Sequence, residues 1–173
     1  IVDSLVGSEM CIRDRLRRYH EKKYINKELL SMLLGVFKVQ ETRVKDIMIP
    51  RTNMVIIKKN SSINEILPLI INSSHSRFPV ILENKDEIVG ILLAKDLLKY
   101  IDRESDSFNI EEIIRPSVII PETKKLNVLL SEFKSGRNHL AVVVDEYGGV
   151  SGLITIEDVL EQIVGDIIDE HDN

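Results

Sequence analysis

The chain has 173 residues, of which 43% are hydrophobic and 29% charged, with a formal net charge of −5. That acidic balance excludes a broad nucleic-acid surface, which needs a basic face, and no apolar run approaches the roughly 18 residues that span a bilayer. A single cysteine excludes an internal disulfide and a Cys-based metal site, and His20, His75, His139 and His171 are too scattered for metal-ligand spacing.

Residues 5–15 resemble the translation of a transposase adapter used in sequencing-library preparation. Residues 1–15 are therefore set apart as an adapter remnant or disordered leader, expected to make no core contacts, and Cys11 goes with them. Residues 16–43 read as a helical segment, with Leu29, Leu30, Leu33, Leu34 and Phe37 on one stripe. That stripe is expected to cover the rest of the chain or a neighbouring copy.

A first unit, 44–101, opens with Val44-Lys-Asp-Ile-Met-Ile-Pro50 and continues into a strand over 54–57. Ser62 and Glu65 form a capping box. The helix behind it places Ile63, Ile66, Leu67, Ile70 and Ile71 on one face, and Pro68 predicts a bend or a late start. Strands over 78–82 and 88–93 and a short helix over 94–101 complete the unit. After a polar linker, 102–110, a second unit over 111–168 takes the same order. Its strand covers 117–120, its helix carries Leu126, Leu129, Leu130 and Phe133, and its strands 140–144 and 149–154 flank Gly148-Gly149. A helix over 156–168 and an acidic tail, 169–173, end the chain.

The two units are copies. Phe78 to Leu98 align without a gap on Leu140 to Leu160, so that Gly90 falls on Gly152 and Asp96 on Asp158, each 62 residues on; Met54 to Ile57 fall on Ser117 to Ile120 at a spacing of 63. One such unit cannot bury its apolar face alone, so the copies are expected to pack on each other, with a ligand-sized cleft between them. The strands are nearly continuous Val, Ile and Leu, which implies sheets covered on both faces.

The sharpest local signal is Gly152-Leu-Ile-Thr-Ile-Glu-Asp158, where a strand passes into a helix. Free amides and a positive dipole gather at such a start. With the Thr155 hydroxyl they suit a phosphate, and the acceptor-only Asp158 suits two ribose hydroxyls. The same Thr-x-x-Asp spacing is a capping box that needs no ligand, and both readings stay open. The first unit has Leu93, Lys95 and Asp96 at those places, which predicts a weaker second site. Arg51, Arg77, Arg137 and His139 are the candidate cations for a phosphate, together with Mg²⁺ held through phosphate oxygens and water. The acidic residues Glu157, Glu161, Asp166, Asp169, Glu170 and Asp172 read as a solvated face rather than a direct Mg²⁺ sensor. Nothing pairs a nucleophile with a base, so no enzyme is expected.

The β-α-β-β-α unit ending in hydrophobic-Gly-hydrophobic-hydrophobic-x-x-x-Asp resembles the CBS domain, which occurs in pairs called Bateman modules. Asp46-Ile-Met-Ile-Pro-Arg51, His75-Ser-Arg-Phe-Pro-Val80, Ala94-Lys-Asp-Leu-Leu98, Asp145 to Glu161 and Ile163-Val-Gly-Asp-Ile167 resemble the CorC/HlyC magnesium and cobalt efflux family. The resemblance implies an α/β (α+β) fold of two CBS domains related by a pseudo-twofold axis, assembled as a homodimer. It also implies a regulatory site for ATP or AMP, with Mg²⁺ accompanying the nucleotide. The implied residues are Thr155, Asp158, Gly152, Ile119, Pro121, Arg77, His139 and Arg51, with Asp96 and Lys95 at the weaker second site. Members of that family continue into a C-terminal transporter-associated domain and many carry a membrane domain, so the chain resembles the cytoplasmic regulatory part of a larger protein. The contrasting expectation is a structural dimerisation module with no ligand.

Overall fold

In the computed structural model, which describes residues 2–100, 108–136 and 138–165 (2–9 as backbone only), the two repeats build two sheets. In the first, β2 (Ile57–Lys58) runs parallel to β3 (Arg77–Ile81), which is antiparallel to β4 (Ile88–Leu93). Helix α3 (Ile63–Ser73) joins β2 to β3, and a 3-10 helix, Ala94–Tyr100, follows β4. In the second, β5 (Val118–Pro121), α4 (Leu126–Ser135), β6 (Leu140–Val144), β7 (Val150–Thr155) and α5 (Ile156–Val164) repeat that order and those pairings.

The sequence copies miss one feature of the assembly. The opening segment of each repeat crosses to the sheet of the other. Strand β1 (Ile49–Pro50) lies antiparallel to β7, with Ile49 opposite Leu153 and Pro50 opposite Gly152. In the mirror arrangement Arg115 bridges Ile91, whose N–H donates to the Arg115 carbonyl at 2.8 Å while the Arg115 N–H returns to the Ile91 carbonyl at 2.9 Å. Ile49-Pro50 thus corresponds to Arg115-Pro116, and the short 3-10 turns Val44–Asp46 and Ile110–Glu112 correspond likewise. The spacing there exceeds that of the next strands, β2 and β5, by three residues, and the surplus is the 3-10 turn Arg51–Asn53, present in the first repeat alone.

This crossing explains the repeated glycines. A Cβ on Gly152 would strike the carbonyl oxygen of Ile49, and one on Gly90 would lie 2.7 Å from the carbonyl of Arg115. Two backbones pass closer there than any side chain allows.

The strands bury both faces, as their composition predicts. On β6, Ala141 and Val143 face a helical layer with Leu126, Leu129, Phe133 and Val159, whereas Leu140 and Val142 face a central layer with Met54, Ile91, Val150 and Leu153. That is the two-residue alternation of a strand between two apolar layers. The first repeat has its own helical layer around Phe78, Val80, Leu92 and Leu97.

Three expectations change. Helix α3 starts at Ile63 and runs through Pro68 to Ser73, so there is no late start; Glu65 accepts the Ser62 N–H at 2.8 Å and holds the first turn. Met54 to Ile56 precede the ladder rather than joining it. Residues 5–15 belong to a continuous helix, α1 (Val2–Glu21), whose Arg13, Leu16 and His20 are half-buried at helical spacing. Arg13 stacks over Phe37 at 5.5 Å and pairs with Glu41 at 2.7 Å on α2 (Lys27–Glu41). Helix α2 packs in turn on α5: a Cβ on Gly35 would come within 2.7 Å of the Gln162 and Ile163 carbonyls. The expected tail, and most of the expected linker, lie outside the described residues.

Candidate functional site

Thr155 ends β7 and caps α5, and the capping geometry is complete. Asp158 Oδ2 accepts the Thr155 N–H at 2.7 Å and the Thr155 Oγ1–H at 2.7 Å, while the Asp158 N–H donates to Oγ1 at 3.2 Å. All of this uses one carboxylate oxygen. Among the described residues, no hydrogen bond engages Asp158 Oδ1, which retains its acceptor capacity.

Thr155 and Asp158 stand in a cleft of about 290 Å³ whose walls come from both repeats, at the small end of the range for small-molecule sites. Leu140, Leu153 and Glu157 complete the second repeat's wall. The facing wall is Ile49, Asn53, Met54 and Val55 together with the loop Ser74 to Arg77. Arg77 Nη2 donates to His139 Nδ1 at 3.2 Å, and its Nη1 lies 3.7 Å from Glu157 Oε1. A guanidinium has no acceptor, so that bond requires the lone pair of the imidazole at Nδ1. Arg77 and His139 are the same position of the two repeats, and they meet across the pseudo-twofold axis.

Of the residues expected from sequence, the structure brings Thr155, Asp158 and Arg77 into this cleft. The others are elsewhere. Gly152 lies under Pro50 and serves the strand crossing. Ile119 and Pro121 sit on β5, the sheet edge farthest from β1, and Ile119 is 62% exposed. The crossing supplies Met54 and Val55 from the other repeat in their stead. Arg51 forms a bidentate pair with Asp86 at 2.6 and 2.7 Å, and Lys85 Nζ donates to the Arg51 carbonyl at 2.8 Å. Asp86 also accepts the Val150 N–H at 3.0 Å, which ties the β3–β4 hairpin to β7. The Arg51 guanidinium, then the Val150 amide, hold the Asp86 carboxyl below the ordinary carboxylate range. Arg137 lies outside the described residues. Sequence reasoning missed Asn53 and the loop Ser74 to Ser76, although that polar run immediately before a strand was a usable signal.

A second cleft, about 210 Å³, is the mate of the first across the pseudo-axis. Arg77 borders both. Leu93 stands in place of Thr155, Lys95 in place of Glu157, and Arg115 in place of Ile49. His139 and Asn138 complete the polar lining. Asp96, the counterpart of Asp158, is buried, and Arg115 Nη2 donates to its Oδ2 at 2.8 Å. No cluster of His, Cys, Asp or Glu among the described residues is placed to hold a metal ion, and no described helix is long and apolar enough to cross a membrane.

Two sheet-and-helix repeats that exchange their opening segments around a cleft capped by Gly-x-x-Thr-x-x-Asp define a tandem CBS pair. The chain belongs to the CBS-domain family, whose model matches residues 44–103 and 110–165, and its pair is of the CorC type. The magnesium and cobalt efflux protein CorC of Vibrio cholerae is 51% identical over 160 residues, covering 92% of this chain and 55% of that protein. The CBS domain of a bacterial CNNM/CorC family Mg²⁺ transporter is 37% identical, with a TM-score of 0.85 over 93% of this chain and 98% of that one. The same domain in complex with ATP is 39% identical, with a TM-score of 0.74 over 79% and 97%. A CBS-domain pair with bound AMP from Klebsiella pneumoniae is 30% identical, with a TM-score of 0.62 over 72% and 99%. The chain spans a little over half the length of the Vibrio relative.

Proposed function

We propose that this chain is the adenine-nucleotide-sensing CBS pair of a protein linked to magnesium and cobalt efflux, and that the first cleft is its nucleotide site. The observation that supports this reading most directly is the unengaged Asp158 Oδ1 beside the Thr155 cap, in a cleft closed by both repeats. A ribose diol takes that oxygen as a shared acceptor, and the phosphate meets the start of α5 and Arg77. The base packs on Met54, Val55 and Leu153. Solved relatives that hold ATP or AMP give the ligand class.

The charge of the cleft separates the candidates. Its lining carries Arg77 against Glu157 and Asp158, so a monophosphate fits as it stands and a triphosphate enters with Mg²⁺ on its oxygens. Nucleotide in this cleft bridges the repeats and favours whichever relative arrangement binds it more tightly. The module acts without catalysis, as the cytoplasmic part of a longer chain that couples it to a transporter-associated domain, and it pairs with a second copy. Helix α2 packs on α5, one of the two partners expected for its apolar stripe. Calorimetric titration with AMP, ADP and ATP, with and without Mg²⁺, tests the reading; it predicts one saturable site and a Mg²⁺ requirement that grows with phosphate number. Absence of saturable binding at millimolar nucleotide returns the module to a purely structural role.

A further inference from the structure

The second cleft repeats the shape of the first and inverts its charge. Its lining carries Arg77, Lys95 and Arg115 with no carboxylate. Lys95 is exposed and has no carboxylate partner among the described residues, and Arg77 has only the distant, largely exposed Glu157. Arg115 gives one nitrogen to Asp96 and keeps its remaining donors, and its backbone is pinned on both sides to Ile91. The groups that read a nucleoside are lost: Leu93 offers no hydroxyl, and Asp96 is buried outside the cleft lining with one oxygen taken by Arg115.

We propose that this second cleft is an oxyanion site of the phosphate class that does not recognise a nucleoside. Three convergent cations with the His139 and Asn138 side chains supply charge and donors in a concave, half-shielded setting, where charge-assisted bonds to phosphate oxygens are strongest. Arg115 performs internally the role a ribose has in the other cleft, so the site is preorganised without one. Because Arg77 borders both clefts, the oxyanion has two sources: a free phosphate or pyrophosphate, or the polyphosphate tail of a nucleotide whose ribose lies on Asp158. The proposal stands independently of the nucleotide reading unless the tail is the source.

Titration of the whole chain with pyrophosphate, in a phosphate-free chloride buffer, tests it. Saturable binding at one site is expected, unaffected by adenosine, and weakened about tenfold or more by Lys95→Glu, an exposed substitution that leaves the thermal midpoint in place. Thr155→Ile is expected to abolish AMP binding while pyrophosphate affinity stays within about twofold, which separates failure of one site from failure of the other. ATP that displaces pyrophosphate from wild type but not from Thr155→Ile identifies the tail as the source, and equal displacement from both identifies the free anion. No saturable pyrophosphate binding at about 10 mM, well above typical site affinities, or a Lys95→Glu protein that binds as well as wild type, overturns the proposal.

Discussion

The two clefts share a backbone and differ in what they can hold. Both lie where the opening segment of one repeat crosses the sheet of the other, and both end at a helix-start Asp, Asp158 or Asp96. Three of the exchanges between them are Thr155 for Leu93, Glu157 for Lys95 and Ile49 for Arg115. The third matters most. An apolar Ile49 leaves Asp158 held only by its own cap, with one oxygen unengaged, whereas Arg115 reaches buried Asp96 and takes one of its oxygens. Duplication therefore repeated the position of a site, and single side chains at the crossing decided its chemistry. A buried carboxylate must be paired with something: buried Asp96 takes Arg115, whereas half-buried Asp158 is held by its own cap and keeps one oxygen open.

The largest effect is expected where the comparison is purely geometric. Gly152→Val puts atoms into the Ile49 carbonyl and should destabilise the chain by about 3 kcal/mol, lowering the thermal midpoint by roughly 6–12 °C. Gly90→Val should follow it with a smaller drop, since its clearance from the Arg115 carbonyl is greater. Unequal roles for the two glycines, with one substitution harmless, would show that the crossings are not equivalent.

Next come the substitutions that separate the clefts by ligand. Thr155→Ile should remove adenine-nucleotide binding at about 1 kcal/mol of stability for the lost cap. Leu93→Ala, its counterpart, should lower the thermal midpoint without changing affinity. Asp158→Asn keeps the cap and should cost about 1–3 kcal/mol of binding, read by calorimetry with the fold checked by circular dichroism. If nucleotide binds both variants as well as wild type, the Thr155–Asp158 pair is a cap and nothing more.

The comparison can also be run in reverse. The double substitution Leu93→Thr with Arg115→Ile restores the hydroxyl and frees Asp96, and it should raise nucleotide stoichiometry from one toward two, the new site being the weaker. A stoichiometry that stays at one would show that Lys95 or the cleft's smaller volume also excludes the nucleotide.

The smallest effect concerns the staple between the repeats. Asp86 is held below the usual carboxyl range by Arg51 and the Val150 amide, so it binds its proton more weakly folded than unfolded. Its contribution is present above the unfolded value and is lost as pH falls below about 4. The difference in thermal midpoint between wild type and Asp86→Asn should be constant from pH 5 to about 7 and shrink below about pH 4. Because the pair is exposed, the difference should also fall with salt.

The sequence by itself determined the repeated unit, its element order and the helix-start pair Thr155 and Asp158, because alternation, helical spacing and capping act within a few residues. The two-sided burial of β6 was legible for the same reason. It could also place Gly90 and Gly152 in register, yet it could not say why they are glycine: the atoms that forbid a side chain belong to Ile49 and Arg115, on the other repeat. The same limit applies to the cleft wall: Ile119 and Pro121, which the family resemblance implies, lie on β5, and the crossing brings Asn53, Met54 and Val55 beside Thr155. Arg51 had the right charge for a phosphate and was claimed by Asp86, a partner 35 residues away. The resemblance of residues 5–15 to an adapter masks the first half of α1, whose Arg13 meets Phe37 and Glu41 only in the tertiary structure. Only the tertiary structure decided which half of each repeat faces which cleft and which charges meet there, since desolvation and ion pairing depend on through-space neighbours that no local pattern encodes.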